Sequence, residues 1–224
     1  MSDSSTASPS PTSPFRRPAV RRAIQGGAVL VVIAAMFLGT KVVPAGSTLG
    51  AGPATFDAST YGKKQFPIQQ KYLEAHAADA AALAVAINSD QTAAAKKYGV
   101  SINSGASTIV AVKLTGVVGT VPAAGFTPIT VSGLPTDQVV AVQLGPAITG
   151  TDLRDATGKI ELGQFENQIQ FQDAGTAINE ELKAVLKKAG APDLTGKTIV
   201  ITGVFQLINP KLWNITPATL EVQP

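Results

Sequence analysis

The rhythm of apolar and polar positions changes three times along the chain. Residues 2–14 are Ser, Thr and Pro with almost no apolar side chains. That composition cannot offset its ordering entropy by burial and predicts disorder. Ala23–Thr40 then runs without a charge, and Gln25 is its one strongly polar residue. As a helix this run spans about 27 Å, close to the hydrocarbon thickness of a bilayer. It has no amphipathic period, which argues against a buried helix of a water-soluble core. Val42 and Val43 extend it while Lys41 snorkels. Residues 23–43 are therefore expected to form a single transmembrane anchor. Residues 44–55, rich in Pro, Gly and small side chains, read as a flexible linker.

From residue 56 a helical period sets in. Ile68, Tyr72, His76, Leu83 and Ile87 are spaced as one face of a helix. Pro67 suits its first turn, and the alanine-rich stretch 77–86 favours helix. Asn88-Ser89-Asp90 interrupts it. Asp90 can cap a second helix over Gln91–Tyr98, which Gly99 ends. Residues 56–100 thus predict a small helical hairpin subdomain.

Beyond Ile102 the period shortens. Thr108–Thr115, Val117–Val121, Thr127–Ser132, Val139–Leu144, Lys197–Leu207 and Thr216–Val222 read as strands, with Gly116 and Gly119 as bends or bulges. Gly145–Gly158 is rich in turn formers, and Ile160–Phe165 reads as a short extended piece. Gln168–Ala189 is helical, with Phe171, Ala174, Ile178, Leu182, Val185 and Leu186 on one face, Asn167 as cap and Gly190 as stop. Strands, one inserted helix, then strands make an α+β arrangement. Residues 101–224 are expected to form an OB-like, partly open β-barrel domain.

Charge changes the picture in one place. The chain carries a net +3 and a pI near 9.2, which invites a nucleic-acid reading. The excess lies in residues 1–22, a basic tail with Arg16, Arg17, Arg21 and Arg22 against Asp3. Residues 44–224 carry a net −1, which speaks against nucleic acid as a partner. The arginines flank the apolar run on one side against Lys41 on the other. This asymmetry predicts a cytoplasmic N-terminus and an extracytoplasmic domain in a single-pass cytoplasmic-membrane protein. A signal peptide cleaved after Ala45 is the alternative, although Pro44 and Lys41 make a poor site. The chain contains no cysteine, so no disulfide, thiolate metal site or cysteine nucleophile can form.

Four segments carry a family resemblance: AAAKKYG (93–99), GPAITGTDLRDATG (145–158), FENQIQF (165–171) and GKTIVITG (196–203). They occur in the order found in a family of bacterial predicted periplasmic proteins built on domain of unknown function 2291. The exported part resembles this family over residues 56–222. The resemblance implies a helical subdomain joined to an OB-like barrel, in a lipoprotein or membrane-anchored protein. It also implies an association with ABC-type sugar transport, because family genes often lie beside such systems. The chain departs from the lipoprotein form in lacking the cysteine for lipid attachment. The family has no established catalytic residues to carry over.

Candidate chemistry is sparse. Asp152, Arg154 and Asp155 lie in a glycine-flanked loop, and Arg154 is the sole arginine after residue 22. Its planar fork suits a carboxylate or phosphate, and the aspartates can accept sugar hydroxyls, so these three are the candidate ligand-binding residues. The competing reading is a local pair between Arg154 and Asp152 or Asp155 that holds the loop. His76, the only histidine, reads as a packed core or interface residue, and no metal site is expected. Glu161, Glu166 and Asp173 have no fixed spacing that would make a catalytic pair. Gly196-Lys197-Thr198 lacks the upstream glycine of a phosphate loop. Aromatics for base stacking are scattered singly, at Phe126, Phe165, Phe205 and Trp213.

No cofactor and no enzymatic activity are expected. The expected role is an accessory or binding protein that engages sugar-transporter components or envelope carbohydrate. The alternative is an enzyme acting on envelope carbohydrate or lipid through the 152–155 loop.

Overall fold

A computed structural model describes residues 56–224 apart from 123–124 and 192. The expected tail (1–22), anchor (23–43) and linker (44–55) lie outside the described residues. Among the described residues, no helix is long and apolar enough to cross a membrane. Phe56–Pro224 forms one compact unit.

Among the described residues, seven strands and five α-helices follow one another. Helix α1 (Ala58–His76) leads through the two-residue β1 (Ala78–Asp79) to α2 (Ala80–Ser89) and α3 (Gln91–Tyr98). Strands β2 (Gly99–Ile102), β3 (Ser107–Val118), β4 (Thr127–Thr130) and β5 (Val139–Val142) come next. The short α4 (Asp152–Asp155) and long α5 (Gln168–Lys188) precede β6 (Thr198–Gln206) and β7 (Leu212–Val222). Asp57, Asp79, Asp90 and Asn167 each accept backbone N–H groups at the first turns of α1, α2, α3 and α5.

The barrel closes in the order β3–β4–β5–β7–β6 and back to β3. β5 and β7 run parallel and the other barrel pairs antiparallel. This is the five-stranded OB arrangement, with α4 and α5 inserted between its third and fourth strands. The barrel is closed rather than partly open, because β3 pairs with β6 without a break from Ile109↔Gln206 to Val117↔Thr198. Gly116 does not split β3 into two strands. It lets the sheet pinch, since a Cβ there would lie 2.5 Å from Ile129 Cγ2 and 2.8 Å from the Thr130 carbonyl. A second close approach lies opposite, where a bulge at Thr202/Gly203 offsets β6 against β7.

The helical region departs from the expected hairpin. It contains three helices, and its Phe66, Leu73, Leu83 and Ile87 enter the same core as the barrel strands. The buried face of α1 is Gly62, Phe66, Gln69 and Leu73, not the face through Ile68, Tyr72 and His76. Ile68 is half exposed. His76 is exposed, stacked on Tyr72 at 4.1 Å, with Nδ1 2.8 Å from the Tyr72 carbonyl. The apolar spacing was continued across Ala77–Asp79, where the chain is extended, so residues before and after that break do not share one helical phase. Pro67 lies in the middle of α1 rather than its first turn, which removes the backbone donor that would reach Lys63. Two further departures are local. β2 was not anticipated, and Leu162–Gln164 winds into a 3₁₀ turn rather than a strand.

α1 packs along α5. At their closest point a Cβ on Gly62 would lie 2.6 Å from the Ala177 carbonyl oxygen. Gly62→Ala is therefore expected to push the two helices apart and to destabilise the fold by about 1–3 kcal/mol. Thermal and urea unfolding measure this, and an unchanged midpoint would contradict the close packing.

Candidate functional site

The loop that follows β5 is tied down at three points before it reaches α4. Gln143 does most of this. Its Oε1 accepts the Thr149 N–H at 2.8 Å, and its Nε2 donates to the Thr149 carbonyl at 2.9 Å and to Thr216 Oγ1 at 2.8 Å. Asn179 on α5 donates to the Gly150 carbonyl at 2.9 Å. Gly150 takes φ +89°, open to glycine at little cost. The chain then enters α4, which carries the candidate residues Asp152, Arg154 and Asp155.

These three residues separate into two environments. Arg154 and Asp155 are both buried and paired with each other. Arg154 donates through Nε to Asp155 Oδ1 at 2.7 Å and through Nη2 to Oδ2 at 3.0 Å. Nη1 reaches the Phe171 carbonyl at 3.3 Å, and the guanidinium lies 3.6 Å from the centre of the Phe171 ring. Thr151 Oγ1 donates to Asp155 Oδ2 at 2.7 Å. The planar fork that would suit an external anion is engaged from within, as the local-pair reading expects.

Asp152 faces the other way, toward the barrel wall. Thr216 Oγ1 on β7 lies 3.4 Å from its Oδ2. Thr216 already accepts from Gln143, so its own hydrogen is free to donate to Asp152. Burial pushes the Asp152 carboxyl up to about 6, against the Thr216 hydrogen bond and with a further push from Asp155.

An aromatic cluster backs the pair. Phe165 packs on Phe56, Tyr61 and Phe171 with ring centres 5.4 to 5.6 Å apart. Burial raises the Tyr61 phenol while the Arg154 charge opposes the rise. Of the other aromatics, Phe205 and Trp213 are fully buried and stacked at 5.0 Å, so neither offers a face to a ligand.

An open cleft of about 790 Å³ adjoins the pair, with Asp155 and Phe171 in its wall. Ser101 and Ile102 of β2, Ser104 and Gly105, and Gly158, Ile160, Glu161 and Leu162 form the rest. Asp152 and Arg154 do not line it. Glu161, Glu166 and Asp173 are exposed. Among the described residues no three His, Asp or Glu side chains converge in a manner that could hold a metal ion.

Sequence reasoning missed Gln143, Asn179, Thr216 and the stacking role of Phe171. Two of these left a signal. Gln143 follows the apolar run Val139–Val142, and Asn179 sits among Ala174, Ile178 and Leu182 on the buried face of α5. A lone polar residue at a buried period marks a hydrogen-bonded tie.

The buried pair predicts an asymmetric mutational response. Asp155→Ala leaves a buried guanidinium uncompensated and is expected to cost about 3–5 kcal/mol. Arg154→Lys loses the fork and the ring stacking and is expected to destabilise as well. Chemical denaturation measures both, and near-neutral effects would remove the structural role of the pair. Asp152 predicts a pH dependence. Its carboxyl titrates higher in the folded chain than the ordinary value of 3.8, so folding favours the protonated form. That stabilisation is complete below the ordinary value and is lost as pH rises through about 6. Asp152→Asn should therefore stabilise the protein above that pH, by at most on the order of 3 kcal/mol. The advantage should vanish in acid, and a pH-independent difference would refute the assignment.

Comparison with known proteins places this architecture. No functionally curated protein matches the chain. A crystal structure of an OB-fold protein from Thermotoga maritima is similar, with a TM-score of 0.60 and 20% identity. The match covers 75% of this chain and 99% of that one, and at this identity it speaks for the fold alone. A family model described as predicted periplasmic lipoprotein, domain of unknown function 2291, matches residues 30–221. With most of its length matched, the chain belongs to this family of predicted periplasmic lipoproteins.

Proposed function

We propose that the protein is a membrane-tethered, extracytoplasmic binding module that serves as an accessory to an envelope transport system of the ABC sugar type. The observation that carries this reading is the charge asymmetry about the apolar run 23–40, with four arginines before it and Lys41 after it. Membership of a predicted periplasmic family is consistent with a domain outside the cytoplasm. Because the chain has no cysteine, the apolar segment itself must hold the protein at the membrane. The sugar-transport link derives from the family resemblance.

An enzyme working through the 152–155 loop is the second reading. Two observations weigh against that loop as a reaction centre. The Arg154 fork is closed on Asp155, and Asp152 points to Thr216 rather than into the cleft. Electrostatic and acid–base catalysis need such groups aimed at a reacting atom.

The absence of native cysteine makes topology directly readable. Ser89 is exposed at the end of α2. In spheroplasts, Ser89→Cys should react with a membrane-impermeant maleimide, and Ser4→Cys only after permeabilisation. The reverse pattern would invert the topology, and a mature N-terminus near Gly46 would replace the anchor with a cleaved signal. A photo-crosslinker at an exposed position of the membrane-bound protein is expected to capture permease or binding-protein subunits. Their absence would remove the transport role.

A further inference from the structure

We infer that the cleft between β2, the Asn103–Gly105 turn, the Gly158–Leu162 segment and Phe171 is a binding site for a small, neutral, polyhydroxylated molecule of the saccharide type. The inference rests on the binding-module reading and adds a location and a ligand class to it. The volume of about 790 Å³ falls within the range of small-molecule sites. The wall is mixed: the hydroxyls of Ser101 and Ser104, the carboxylates of Asp155 and Glu161, and apolar surface from Leu162 and Phe171.

Charge selects among ligands. An anion entering the cleft meets the carboxylate of Glu161, since Arg154 offsets the charge of Asp155. The buried Arg154 has its Nε and Nη2 engaged by Asp155 and its Nη1 by the Phe171 carbonyl. A cation gains only Glu161, an exposed carboxylate whose attraction solvent screens. Arg154 cancels the charge of Asp155 and already occupies one face of the Phe171 ring at 3.6 Å. A second cation near that ring would face a like charge through it.

Neutral hydroxyls meet neither obstacle. They donate to carboxylates and exchange hydrogen bonds in both senses with serine. Leu162 and Phe171 suit the C–H faces of the same molecule. Asp155 is well prepared for this task. Oδ1 takes one hydrogen bond from Arg154, and Oδ2 takes one from Arg154 and one from Thr151. A carboxylate offers roughly four acceptor sites, so Oδ1 retains capacity while the group is held rigid. Rigidity lowers the ordering cost of binding. The turn on the far wall is held in an unusual conformation. Ser104 has φ +55°, the one positive φ outside glycine among the described residues, and Gly105 follows at +92°.

The test uses the full chain in nanodiscs, free of glycosidic detergent, with calorimetry against three matched sets. These are neutral mono- and disaccharides, sugar phosphates and uronates, and amino sugars and polyamines. Two variants accompany it. Ser101→Trp fills the cleft from an exposed strand position, and Leu162→Ala trims a half-exposed side chain. Neutral saccharides should bind, charged analogues about tenfold or more weakly, and both variants should lower affinity by a similar factor at unchanged melting temperature. Saturation by charged members alone, or neutral binding indifferent to both variants, would overturn the site. Silence across the panel at about 10 mM would overturn it too. If that silence accompanies intact crosslinks to transport subunits, the ligand site falls and the accessory role stands. Saccharide binding without crosslinks reverses the two conclusions.

Discussion

A β-strand has two hydrogen-bonding edges, and β3 uses its two edges for different ends. One edge is given wholly to β6, from Ile109 to Val117, and closes the barrel. The other is shared in sequence by β2 at Ser107–Val110, β1 at Val112–Lys113 and β4 at Val117–Val118. The first two belong to the segment that carries α1, α2 and α3. The helical layer is thus joined to the barrel through backbone pairing on the strand that also closes it. This explains why Phe66, Leu73, Leu83 and Ile87 share a core with Val110, Val112 and Ile201. It also explains why β3 is buried at four successive positions, Ile109–Val112, before ordinary alternation resumes at Lys113.

The polar interior follows a second logic. Arg154 and Asp155 are adjacent in sequence, so their pairing closes no long loop and depends on the surroundings to hold it. Those surroundings are the Phe171 ring and carbonyl from α5 and the Thr151 hydroxyl from the preceding loop. Gly175, one turn further along α5, faces the arginine stem, and a Cβ there would make ordinary contact with Arg154 Cδ at 3.6 Å. A buried pair of this kind adds little net stability and strongly penalises loss of either member. Its structural value is to fix the angle at which α4 meets α5.

Much of the architecture was legible in the residues. The strong β-branched run at 198–206, the amphipathic period of α5 and the caps at Asp90 and Asn167 each follow from local chemistry. What failed was phase. The spacing merges two helical stretches on either side of Ala77–Asp79 into one face and places His76 in a core or an interface, whereas His76 is exposed. Burial of α1 is set by where Gly62 allows α5 to approach, a tertiary fact that periodicity does not contain. Barrel closure was likewise invisible, because it depends on pairing between segments some ninety residues apart. The candidate loop was found, but the direction of each side chain within it was not. Thr216 meets Asp152, Phe171 and Thr151 hold the Arg154–Asp155 pair, and Gln143 and Asn179 tie the loop backbone, so the direction is decided by residues from separate elements.

The described fold begins at Phe56, whose ring lies 5.4 Å from Tyr61 and 5.5 Å from Phe165. Phe165 in turn packs on Phe171, and Phe171 on Arg154. Phe56 thus stands at the head of a chain of aromatic contacts. These contacts reach the Arg154–Asp155 pair at the third step. The start of the described fold and the wall of the cleft are therefore one continuous stack. A substitution that removes the Phe56 ring takes away a contact at the far end of the stack that lines the cleft.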